Sequence, residues 1–248
     1  MTELLIAFGL IGGVVAAHEL GFWLGSLVCS TDDRFDRQLA LVRTSTAALV
    51  AFLIGFAFSG AASRFIDRLD IIVKEANALG TAYLRADTIA EPQRSELKAA
   101  LREYTADRVQ LLSGERRDQI EPLIAKVGGL HERMWQPAIK ATQDNAPLMA
   151  VVLPPINEVI DLHSTHLAMA RRHLPLPIMA VLLGATAISV GLMGFGNGRV
   201  GRRFSLLDSV YGVVLAVALW MTIDLDYPGI GIIRVSNRAV VETLSAMK

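Results

Sequence analysis

A single cysteine, Cys29, is present in the whole chain. That excludes an intramolecular disulfide and any multi-cysteine metal site. Proline is missing from the first 91 residues, so no residue there imposes a stop on a helix. A glycine-rich nucleotide loop, a nucleophile elbow and a credible pair of catalytic carboxylates are all lacking, and the chain does not read as an enzyme. No cofactor is expected. Net charge is zero, and no basic tract suggests a nucleic-acid partner.

Charge is also missing locally, and that absence is the most informative. Four long apolar windows are nearly free of it: Leu4–Val28, Thr44–Ala62, Leu174–Phe195 and Leu206–Ile223. Each is near the ~20 residues that span a bilayer as a helix. The first lacks a basic leading region and is long for a signal peptide, so it is expected to stay in the mature protein. The expected fold is an all-α integral membrane protein with four transmembrane helices in two hairpins. The expected domains are a first hairpin at 1–62, a helical soluble block at 63–173, a second hairpin at 174–224 and a tail at 225–248. Within the block, helical spacing predicts Arg94–Leu112, weaker helices at Glu115–Lys126 and Leu130–Gln143, and Asn157–Arg172 after Pro154 and Pro155.

Between Arg43 and Asp87 an apolar run passes into a charged one with no helix breaker. A single helix of that length would reach roughly 65 Å, about twice the hydrocarbon core. Its aqueous half carries a heptad stripe: Phe65, Leu69, Ile72, Ala76, Leu79, Tyr83 and Ala86. Arg64, Arg68, Lys74, Glu75 and Arg85 lie mostly off it. The stripe reads either as packing inside the soluble block or as self-association about an axis. Continued backward it meets Ala62, Phe58, Gly55, Ala51 and Ala48, mostly small residues that permit close helix approach. A neighbouring face carries Phe52, Phe56, Ser59 and Ser63. These would line a narrow dewetting constriction with a polar mouth, or simply face lipid.

Several polar residues need placing. His18 and Glu19 lie inside the first apolar window, where ionisable groups are costly. They would line a watery path, pair with Arg43, or sit near an interface. Asp208 is expected to reach the headgroups. Asp224 and Asp226 follow the last span and are a candidate cation site, although too few oxygens are identifiable; with Pro228, Gly229 and Gly231 they also read as a sharp exit turn. His163 and His166, near Glu158 and Asp161, do not fit the HExxH spacing and read as an ordinary helix face. An even span count puts both termini and the soluble block on one side. The short loops hold Arg34, Arg37, Arg43, Arg199, Arg202 and Arg203. The other side holds Arg64, Arg68, Lys74, Arg171, Arg172, Arg234 and Arg238. The positive-inside rule is nearly tied.

The run LIGFAFSGAASRFIDRLDIIVKEANALGTAYLRAD, followed by EPQRSEL, resembles the bacterial bestrophin-like membrane proteins. INEVIDLHSTHLAMARRHLPLP and DLDYPGIGIIRVS carry the same resemblance. More distantly it is similar to the bestrophin anion channels. That resemblance implies a pentamer, cytoplasmic termini and an apolar neck formed by the second helix, here Phe52, Phe56 and Ser59. It makes Asp224, Asp226 and Pro228 a reduced acidic turn. The soluble block is short and the acidic cluster incomplete, which puts Ca²⁺ gating in doubt. The expectation is a homo-oligomeric channel of a bacterial inner membrane, conducting anions such as chloride through the bilayer. Arg64 and Arg68 would concentrate anions at the mouth, partly offset by Asp67 and Asp70. The alternatives are a non-conducting scaffold or sensor, and a proton-coupled transporter using His18 and Glu19.

Overall fold

A computed structural model describes residues 2–28, 33–113, 120–203, 206–229 and 231–248. The described residues form eight α-helices and one 3₁₀ turn, with no strand. In order they are α1 (Thr2–Ser26), α2 (Asp33–Arg85), the 3₁₀ turn Ala86–Thr88, α3 (Gln93–Ser113), α4 (Ile120–Thr142), α5 (Ala146–Ala170), α6 (Leu176–Val200), α7 (Leu206–Asp226) and α8 (Arg238–Ala246). Four of them, α1, α2, α6 and α7, are long and apolar enough to cross a membrane, as the sequence predicts. The chain divides into two compact units, Met1–Phe65 with His173–Ile233 and Ile66–Arg172 with Arg234–Lys248.

In the first unit α1 packs most extensively on α6 and secondarily on α7. The first and third spans are thus closely paired. Glycine is the reason. A Cβ added at Gly21 would overlap the Gly191 carbonyl, at Gly25 the Phe195 carbonyl, at Gly194 the His18 carbonyl and at Gly198 the Phe22 carbonyl. Both helices carry the GxxxG spacing that lets backbones touch. Ala48, Ala51, Gly55 and Phe58, expected to permit close helix approach, are exposed on the single chain. The buried side of α2 is instead Val50, Ile54, Ala57 and Ala61. Val50, Ile54 and Ala57 meet Leu182 and Val190 of α6 and Leu215 and Leu219 of α7.

Helix ends differ from expectation for local reasons. Helix α2 begins ten residues before Arg43, with Asp33 and Asp36 in its first turn, where carboxylates favour the positive helix end. Helix α6 runs through Gly196-Asn197-Gly198, expected as loop; Gly198 lies against the backbone of α1 and Gly196 against the Arg43 side chain of α2. It stops at Gly201, whose φ of 71° closes the helix; Gly201 N–H donates to Gly198 O and Arg202 N–H to Asn197 O.

In the second unit the later part of α2 packs with α3, α4, α5 and α8. Its core includes Leu79, Leu97, Leu101, Tyr104, Met134, Ile156 and Met247. Ile72, Ala76, Leu79, Tyr83 and Ala86 of the heptad stripe are buried here, whereas Leu69 is half-buried. Packing within the unit therefore accounts for the stripe from Ile72 onward. The two weak helices of the block are one helix, α4. Gly128, Gly129 and Pro137 are carried inside it, and the stretch 114–119 lies outside the described residues.

Helix α5 starts eleven residues earlier than predicted. Asn145 caps it, its side chain accepting from Leu148 N–H, and Pro154 and Pro155 lie within it. Pro155 has no N–H for the Val151 carbonyl; Arg85 Nη1 donates to that oxygen instead, at 2.7 Å. The segment read as a tail contains α8, which rests on α3. Its Val240 and the following Met247 are buried.

Candidate functional site

The candidate pore residues share an open face of α2. Phe52 is 69% exposed and Phe56 75% exposed on the single chain, and Ser59 and Ser63 are exposed too. The 4, 3, 4 spacing keeps these four on one stripe of the helix. Two phenyl rings left in the open must meet lipid, a second chain, or a pathway.

The expected mouth arginines are not on that face. Arg64 forms an ion pair with Asp226, with Nη2 at 2.6 Å and Nε at 2.8 Å from Oδ1. Arg68 is buried, and its Nη2 donates to the Arg172 carbonyl at 2.7 Å. Asp67 and Asp70 are exposed instead, and among the described residues neither has an ion-pair partner. Lys74 is exposed one turn beyond Asp70.

Asp224 and Asp226, expected to follow the last span, lie in the last turn of α7 and are held from inside. Asp226 is fully buried and accepts from Leu174 N–H at 2.7 Å as well as from Arg64. His173 Nδ1 lies 3.0 Å from the Asp226 carbonyl, and its ring stacks on Tyr227 at 4.0 Å. Asp224 Oδ2 accepts from Ile232 and Ile233 N–H, each at 3.1 Å. A Cβ at Gly231 would fall on the Asp224 carboxylate, and Gly229 has a φ of 98°. Both acids are thus held by protein donors, in the manner of an exit turn. Among the described residues no group of three or more histidine, cysteine or acidic side chains is placed to hold a metal ion.

His18 and Glu19 have different partners. His18 is buried, its Nε2 3.3 Å from Asn197 Nδ2, and Asn197 Nδ2 donates to Asp208 Oδ2 at 2.5 Å. Glu19 pairs with Arg203 at 2.9 Å rather than with Arg43. Arg43 reaches the Met193 sulfur. Arg199 pairs with Asp36 and lies over the Phe35 ring. Asp208, in the first turn of α7 and expected at the headgroups, is part of this network. Asn197 was the missed residue, and the only signal for it was a carboxamide between two glycines.

The second unit contains a buried ion pair that the heptad pattern placed off the packed stripe. Arg108 donates to Glu75 through Nε at 2.6 Å and Nη2 at 2.5 Å, with both side chains inaccessible to solvent. Tyr104 OH donates to the same carboxylate at 2.7 Å. Burial pushes the Glu75 carboxyl up, but the Arg108 hydrogen bonds and charge outweigh it, and the group ends below the usual carboxylate range. The Tyr104 phenol is pushed well up, by burial first and the Glu75 charge second.

Four membrane-length helices and a separate helical unit define a helical integral membrane protein. The Bestrophin-like domain family matches residues 12–240, and the chain belongs to that family. Among solved structures, a single-substitution variant of a bacterial bestrophin homologue from Klebsiella pneumoniae is similar, with a TM-score of 0.67 at 13% identity, covering 96% of each chain. A second structure of a Klebsiella pneumoniae bestrophin homologue, phased on zinc, has a TM-score of 0.58 at 13% identity and covers 94% of this chain and 98% of that one. At such identities the likeness concerns the fold. No curated protein matches the sequence.

Proposed function

We propose that this chain assembles with copies of itself into an ion channel in which α2 lines the pathway. The observation that carries this is the exposed Phe52–Phe56–Ser59–Ser63 stripe on a membrane-length helix. Two phenylalanines one turn apart form a constriction that water leaves readily, and the serines wet its mouth. Family membership is consistent with this. In liposomes the protein passes small ions, and Phe56→Ala raises the flux or alters its selectivity. An intact oligomer that passes no ion under any gradient sinks the channel and leaves a scaffold or sensor. Loss of pH-coupled uptake in Glu19→Gln would favour the transporter instead.

The family resemblance supports anions, chloride first. A specific observation favours cations as a second reading. Arg64 is neutralised by Asp226, Arg68 is turned inward, and Asp67 and Asp70 stand on the open side of α2. Reversal potentials in a KCl gradient separate the two. If the acids set the preference, Asp70→Asn moves the reversal potential toward the chloride value, and Lys74→Gln moves it away.

We further propose that the second unit and both termini lie in the cytoplasm of a bacterial cell, beneath the inner membrane. Cys29, between the first two spans, is then labelled from outside by a membrane-impermeant maleimide. Labelling only after lysis would reverse the orientation. Asp224 and Asp226 serve this assembly as anchors of the exit turn; a Ca²⁺ role would require calcium to change conduction or stability, and the Asp224→Asn variant to abolish that response.

A further inference from the structure

Three histidines converge inside the second unit, and the channel reading makes no use of them. His131 comes from α4, and His163 and His166 come from α5. The His131 and His163 rings meet edge to face at 5.0 Å. Tyr104 of α3 touches both, at 5.6 Å and 6.1 Å between ring centres. Buried nitrogens of all three, His131 Nε2, His163 Nδ1 and His166 Nδ1, have no hydrogen-bond partner among the described residues. A neutral imidazole tolerates such a place; an imidazolium does not, because its two N–H donors need acceptors and its charge needs water or an anion.

The surrounding charges make protonation harder. From α2 come Glu75 and Arg68, and from α3 come Arg108 and Tyr104. Glu75 is the one acid among these groups, and it is already taken by both Arg108 nitrogens and by the Tyr104 hydroxyl. The nearby acid Asp107 is committed to Lys126 of α4. A proton added to the cluster therefore joins a cationic neighbourhood whose carboxylates Glu75 and Asp107 are already engaged.

We propose that the His131–His163–His166 cluster is an acid-operated release, in which protonation separates α4 and α5 from the later part of α2 and from α3. The energetics follow from linkage. Burial first, and the Arg108 charge second, hold the imidazoles of His163 and His166 down at about 4. Burial lowers His131 as well. In the unfolded chain the same groups take protons at about 6.5. Between those values the open state binds more protons than the closed one. The closed unit is thus unaffected above about pH 6.5 and loses stability progressively as the pH falls toward 4.

Trp135 is a built-in reporter, half-buried against the same core and one helical turn from His131. With Trp23→Phe and Trp220→Phe, the full chain in nanodiscs reports from Trp135 alone. Its emission shifts to the red, reversibly, as the pH is lowered from 7 to 4. The His163→Phe/His166→Phe variant moves the midpoint acidward by roughly one pH unit. If that variant does not fold, imidazole titration of the labelled wild-type protein decides the matter: midpoints well below 6.5 for three of the five histidines sustain the release. An unmoved Trp135 signal from pH 7 to 4, an unchanged midpoint in the variant, or ordinary titration of all five histidines would each overturn it.

Discussion

Arg64 and Arg68 stand one turn apart on α2 and share a charge, yet neither faces the open stripe. Sequence spacing places both near the end of a span and says nothing about partners. Asp226 lies 162 residues away from Arg64, and a one-dimensional pattern does not encode such a meeting. Glu75 is a sharper case. The heptad pattern leaves it off the packed stripe, but a partner 33 residues on, Arg108, makes burial tolerable. Removing one member of such a pair strands the other charge. Glu75→Ala is expected to destabilise the second unit by about 3–5 kcal/mol, read as a lowered denaturant midpoint of Trp135 emission. The contribution of Glu75 has its own pH window. Its carboxyl is lowered, so the stabilisation is present above the usual carboxylate value and is lost as the pH falls through the lower folded one. Glu75→Gln should blunt that most acidic loss and, by removing the negative charge beside the imidazoles, move the histidine window acidward.

Among the elements, the four apolar spans were legible because a run without charge is a composition signal that needs no knowledge of neighbours. Their ends were less so. Helix α4 absorbs Gly128, Gly129 and Pro137, and α5 absorbs Pro154 and Pro155; at Pro155 the Arg85 side chain supplies the hydrogen bond that the proline withholds. The α1–α6 contact was hidden for another reason. GxxxG at Gly21 and Gly25 and again at Gly194 and Gly198 is visible in the sequence, but the stripe of small residues on α2 competed for the same role. The clash of any Cβ with facing backbone gives the prediction. Gly194→Leu forces α1 and α6 apart, costing a large part of the stability of the first unit. A single Gly55→Ala, whose Cβ meets nothing within 4 Å, should leave it within about 0.5 kcal/mol. Thermal melts in one detergent, compared side by side, check the contrast.

For the whole molecule, the family is readable in the sequence from EANALGTAYLRAD and DLDYPGIGIIRVS, and the match over residues 12–240 agrees. The second motif has a physical content that its letters do not disclose: Asp224 and Gly231 fit each other, and Asp226 locks Arg64 and Leu174. Assembly remained outside reach, since charge counts tie and one chain does not display its partners. The open phenylalanines make it testable. In a Cys29→Ser background, Phe56→Cys should give disulfide-linked dimers on mild oxidation in the membrane, whereas Val50→Cys, at a buried position, should not. Equal cross-linking at both positions would remove α2 from the axis.

Arg85 and Pro155 have an evolutionary corollary. The proline withholds a hydrogen from the Val151 carbonyl and the arginine supplies one, so the fitness effect of changing either position depends on the residue at the other. Arg85→Ala should be harmful beside Pro155 and much milder in a Pro155→Ala background, where the helix satisfies its own carbonyl. A lineage losing that arginine first would cross a valley, whereas one replacing the proline first would not.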